Sequence, residues 1–218
     1  MAFSTFSRAT VLLLTLFTST ALSQGPENRG YGVIDPSLTG TRPPYTTDQV
    51  SYWAPNDDSY VNTAHFQQQM VDIHNRYRAQ HGSAPLKWDT QLAASSQKHV
   101  NTCVYAHSAE ALAPATTYGE NIYFGYESVA SGVGVWGDEG LAYQSRGFYT
   151  NGKAPDHDLL HFTQMVWKAT TTIGCARKKC VADQFGGDNV QESWFVCCHY
   201  YRRGNYQGQY QANVLPPR

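Results

Sequence analysis

The chain has 218 residues, 13% of them aromatic and 15% charged, with a formal net charge of −1 at pH 7. That length suits one domain of ordinary size plus an extension. Near-neutrality gives no electrostatic basis for binding nucleic acid or an anionic membrane, and the basic runs Arg177-Lys178-Lys179 and Arg202-Arg203 read as solvated strand ends.

Residues 1–23 read as a secretory signal. Arg8 supplies the positive end, Val11 to Phe17 the apolar stretch, and Ala21-Leu22-Ser23 a cleavage site before Gln24. The apolar run is well short of the ~20 residues a membrane-spanning helix needs, and the closing Val214-Leu215-Pro216-Pro217-Arg218 is no lipid-anchor signal. A secreted, extracellular protein is expected. Residues 24–58 hold Pro26, Pro36, Pro43, Pro44 and Pro55 among Ser, Thr and Gly, without helix or strand period. They are expected to form an N-terminal extension, with residues 59–218 as the domain.

The domain opens with a helix. Phe66, Met70, Ile73 and Tyr77 form one apolar stripe, with Asn62 as N-cap and Gly82 as stop. Asp89 caps a second helix whose Leu92, Ser96, Val100 and Cys103 share a face. A third is expected from about Val129 to Tyr143, with Val133, Trp136 and Gly140 inward, and a fourth from about Leu160 to Ala169. Ile122 to Phe124, Thr172 to Ala176 and Trp194 to Tyr200 read as strands, with 181–192 the hairpin loop between the last two. The pattern predicts an α/β fold in which helices flank a short, mostly antiparallel sheet.

The cysteines are Cys103, Cys175, Cys180, Cys197 and Cys198. In an oxidising compartment they should pair, leaving one over, and the sequence leaves connectivity open. Adjacent strand residues point to opposite faces, so Cys197 and Cys198 do not share one partner site. The spare sulfur is a buried thiol or an intermolecular partner. No H-E-x-x-H, C-x-x-C, G-x-S-x-G or P-loop motif is present.

Four ordered segments point to a family: His74-Asn75-Arg76-Tyr77-Arg78, Gly119-Glu120-Asn121-Ile122, His161-Phe162-Thr163-Gln164-Met165-Val166-Trp167, and Cys198-His199-Tyr200 followed by Gly204-Asn205. Together they resemble the CAP superfamily of cysteine-rich secretory, antigen 5 and pathogenesis-related class 1 proteins, most closely its fungal and plant pathogenesis-related group. The resemblance covers about residues 60–214. It implies an α-β-α sandwich stabilised by disulfides Cys103–Cys175 and Cys180–Cys198, with Cys197 spare.

It also groups four residues whose spacing alone would not: His107, through Cys103-x-x-x-His107-Ser108; Glu120; Glu139, through Trp136-x-x-Glu139; and His161. Two imidazoles can ligate a divalent ion such as Zn²⁺, and two carboxylates can orient the rings or a bound water. A bare hydrogen-bond network would use the same residues. His74, Asn75 and Arg78 are read as a structural network, and His65, His81, His99, His157 and His199 as ordinary residues. Tyr143, Phe148 and Tyr149 lie in a Gly- and Asn-rich stretch just before His161, where sterol-binding fungal members carry an aromatic loop; rings that merely pin the loop to the third helix are the alternative. The expected function is non-catalytic binding of a sterol or fatty acid outside the cell, in defence, host interaction or lipid export, by a monomer. The competing readings are a metal-dependent hydrolase or protease, with Ser108 as the candidate nucleophile, and a scaffold or effector recognised by a protein partner.

Overall fold

The computed structural model describes residues 57–113, 117–181 and 192–218. All belong to the unit Gly32–Arg218. The signal segment, the extension up to residue 56 and the 182–191 hairpin loop lie outside the described residues.

Helix α1, Thr63–Gln80, begins where the Asn62 side chain accepts from the Ala64 and His65 amides. Its stripe of Phe66, Met70, Ile73 and Tyr77 is buried, as the period predicts. Strand β1, Lys87–Trp88, follows, and Asp89 then caps helix α2, Thr90–Val100, by accepting from Gln91 and Leu92. Cys103 lies beyond the end of α2. The short helix α3, Ala109–Leu112, precedes strand β2, Tyr118–Phe124, which is longer than the three residues predicted. Helix α4 spans Val129–Ser145 behind a Ser128/Ser131 capping box, and α5 is a single turn, Phe148–Asn151. Helix α6, Leu160–Val166, stops three residues before the predicted end. Strands β3, Thr172–Val181, and β4, Glu192–Tyr201, are followed by the turn α7, Tyr210–Asn213.

The sheet order is β1-β3-β4-β2. Only β1 and β3 run parallel; β3–β4 and β4–β2 are antiparallel. Strand alternation gives the sheet two faces. Ile173, Cys175, Val196, Cys198 and Tyr200 pack with α1, α4 and α6, while Ala176, Cys180, Phe195 and Cys197 pack with Val100 of α2. This α-β-α layering is the predicted fold.

The alternation also corrects the disulfides. The bridges are Cys103–Cys180 and Cys175–Cys198. Cys175 and Cys198 are register partners on the α1 side, whereas Cys103 and Cys180 lie on the α2 side. The expected Cys103–Cys175 bond would have to cross the sheet. Cys180 sits opposite Ser193, five residues from Cys198, a gap of roughly 17 Å along a strand. Cys197 is a buried free thiol.

Beneath the α1 face, the His74 Nδ1–H donates to the Met70 carbonyl, and Nε2 meets the Tyr200 hydroxyl at 2.8 Å. Burial pushes the His74 imidazole down to about 4, from 6.5. Between those values the unfolded chain holds the extra proton. The His74 contribution is therefore intact above about 6.5 and lost as pH falls through 4, amounting to about 3 kcal/mol at the limit. His81, also depressed by burial, acts in the same direction. Urea melts should show stability falling between pH 7 and 4.5. His74→Gln should flatten that slope; an unchanged slope would refute the assignment.

Candidate functional site

Edge strand β2 carries Glu120 on its α2 side, opposite His199 of β4. The Glu120 side chain is 1% exposed. Its Oε1 accepts from His107 Nδ1 at 2.7 Å and from the Ser108 amide at 3.0 Å. Its Oε2 accepts from His199 Nε2 at 2.8 Å, with the Cys197 thiol at 3.6 Å. Burial raises the pKa of this carboxyl, but the bonds from His107, His199 and Ser108 outweigh it and hold Glu120 ionised.

The second pair comes from the other side of the sheet. Glu139 lies three residues after Trp136 on α4, so the two share a face. His161 of α6 stacks on Trp136, with ring centroids 5.8 Å apart, and its Nδ1 donates to Glu139 Oε1 at 2.7 Å. Glu139 Oε2 accepts the Phe162 amide. Here burial prevails over the single imidazole, and the Glu139 pKa is raised. One carboxylate is thus held ionised by two rings, while the other ionises less readily.

His107, Glu120 and His161 line one cleft of about 160 Å³ with His157, Arg203 and Asn205. Glu139 stands behind His161 and does not line it. In the neutral rings, Nδ1–H bonded to a carboxylate leaves the lone pair on Nε2, the tautomer that ligates a transition ion. Imidazole is a ligand type that such an ion takes.

His199 is not the ordinary histidine expected from the sequence. It is fully buried, clamps Glu120, and lies on the same side of β4 as Cys197. Potential ligand atoms of Glu120, Cys197 and His199 lie within 4.8 Å of one another. The i, i+2 spacing of Cys197 and His199 was the available signal; the strand register that brings Glu120 to them was not. Ser108 caps α3, its hydroxyl accepting from the Ala111 amide.

The aromatic stretch is packed and locally helical. Tyr143, on α4, and Phe148, on α5, are buried, and Tyr149 is partly buried. The Tyr143 ring centroid lies 5.3 Å from Phe148, 4.8 Å from Tyr149 and 5.6 Å from Phe162. A cavity of about 20 Å³ adjoins Tyr149 and Phe162 between α1 and α4. The Tyr143 hydroxyl is buried without a hydrogen-bond partner among the described residues.

The three-layer domain is the architecture that the sequence resemblance implies. The chain belongs to the CAP family, described as the cysteine-rich secretory protein family, whose profile matches residues 71–200. It is 37% identical over 161 residues to a probable pathogenesis-related protein of Candida albicans, covering 74% of this chain and 44% of that one. It is 34% identical to the secreted protein RBT4 of the same organism, covering 85% and 51%. A pathogenesis-related PR-1 type protein of Sambucus nigra is 33% identical, covering 65% and 79%. The chain spans about half the length of the two Candida relatives. The crystal structure of Na-ASP-1 shares the fold, with a TM-score of 0.51 at 22% identity, covering 70% of this chain and 41% of that one.

Proposed function

We propose that the protein is an extracellular, non-catalytic binder of a small hydrophobic ligand, a sterol or fatty acid. The observation that carries this reading is the unpartnered Tyr143 hydroxyl inside a ring cluster. A sterol or fatty acid needs apolar area and one polar anchor, and this cluster offers both. The turn bearing Phe148 and Tyr149 is bounded by Gly147 and Gly152, with φ of 72° and 67°. A cavity of about 20 Å³ is far too small for a sterol, so binding requires that turn to swing outward. No described helix is long and apolar enough to cross a membrane.

Radiolabelled cholesterol and palmitate binding test the proposal. Phe148→Ala should weaken binding about ten- to a hundredfold, as expected for losing a buried ring contact. Glu120→Gln should leave it near wild type. The reverse pattern would move the ligand to the His–Glu cleft, and no saturable binding of either lipid would remove the reading.

The paired Nδ1–carboxylate bonds support a second reading, that His107 and His161 bind Zn²⁺ with Glu120 and Glu139 holding the rings. Acidification should weaken binding, because protons compete for the imidazole nitrogens. Calorimetry should show Zn²⁺ affinity falling at least tenfold in the His107→Ala/His161→Ala variant; equal affinity would refute it.

A further inference from the structure

The cleft between the two His–Glu pairs has polar walls, and most of its polar side chains are committed to protein partners. Glu120 is shared among His107, Ser108 and His199. Asn121 donates to the His161 carbonyl and the Tyr200 hydroxyl. Gln164 accepts from the Gly204 amide and donates to Thr170. Asn205 accepts from Thr163 and donates to the Leu160 carbonyl. Arg203 differs. Its Nε is buried and has no hydrogen-bond partner among the described residues. No carboxylate among the described residues forms an ion pair with it, and its guanidinium carbon lies 5.4 Å from the Tyr206 ring centroid.

A buried guanidinium N–H without an acceptor is costly, and such a group calls for a missing partner. The neighbouring groups say which kind. The cleft also holds the imidazoles of His107, His157 and His161, while the one carboxylate among its described lining residues, Glu120, is already hydrogen-bonded from both sides. Arg203 is the one Arg or Lys among the lining residues, and a guanidinium N–H forms its strongest hydrogen bonds to an anionic acceptor. A planar guanidinium fork matches the oxygen spacing of a carboxylate or phosphate. A volume of about 160 Å³ suits such a head group, not a whole lipid.

We infer that the cleft is an anion subsite in which Arg203 receives a phosphate group, independently of the aromatic segment and of any metal. Calorimetry on the chelator-treated full chain, with inorganic phosphate and with short-chain phosphatidic acid, tests this. Saturable binding of at least one probe is expected. Arg203→Gln should weaken it tenfold or more, the loss typical of a hydrogen bond to a charged group. Arg202→Gln, at an exposed neighbouring position, should change it less than twofold. Binding of both probes would assign recognition to the phosphate group itself, and binding of phosphatidic acid alone to a lipid head group. Arg203→Gln should also leave cholesterol binding unchanged, which separates this site from the proposed lipid site. If neither probe binds wild type, or both variants weaken binding equally, the inference fails.

Discussion

Replacing Arg78 by methionine is expected to lower the unfolding free energy by about 3–5 kcal/mol, among the largest effects of any single substitution here. Arg78 is fully buried and forms no ion pair with a carboxylate among the described residues. Its Nε donates to the Ala84 carbonyl at 2.7 Å. Nη1 donates to Met165 and Trp167 at 3.0 and 2.8 Å, and Nη2 to Thr170 at 2.8 Å. Burial pushes the guanidinium down to about 10, so it is still charged at neutral pH. Methionine fills much of the space but leaves four carbonyls without this donor, and each buried unsatisfied group costs roughly 1–3 kcal/mol. Arg78→Lys should recover less than half of the loss, because one ammonium cannot span the fork. Urea melts of the oxidised protein would show this. A loss under about 1 kcal/mol in the methionine variant would contradict it.

Gly174→Ala is expected to cost about 3 kcal/mol or more. A methyl there would overlap the Ala93 amide nitrogen and Asp89 carbonyl of α2, which are backbone atoms that cannot swing aside. The same contact seats Ser96, whose hydroxyl donates to the Gly174 carbonyl at 2.8 Å and accepts the His199 amide. Lifting α2 would therefore loosen the strand that holds Glu120. Gly134→Ala is the control: it lies within α4 with nothing within 4 Å of the added methyl, and should be neutral or stabilising by about 1 kcal/mol. Equal thermal midpoints for the two variants would refute the close approach of α2.

The amphipathic helices were legible because their period is local. Phe66 to Tyr77 names its own buried face, and Asn62 and Asp89 name their own helix starts. The single turns α3, α5 and α7 are too short to show a period, and the Gly and Asn residues around Phe148 read as loop although its ring is buried. His107, Glu120, Glu139 and His161 came only from resemblance, since their intervals carry no signal. The clamp of His199 on Glu120 and the disulfide partners depend on register between distant strands, which no local pattern encodes.

The adjacent cysteines of β4 make its pairing with β3 a choice between two frames one residue apart. In the native frame Cys198 meets Cys175. A slip of one residue would present Cys197 instead and turn Phe195, Cys197 and His199 toward α1, exchanging the two faces of the strand. Oxidation in that frame would make the error covalent. Once the native bond closes, the leftover sulfur is sealed under α2, where burial raises its pKa well above the usual thiol range. Thiol exchange needs an accessible thiolate, so the folded chain withholds the one nucleophile that could reopen the wrong frame.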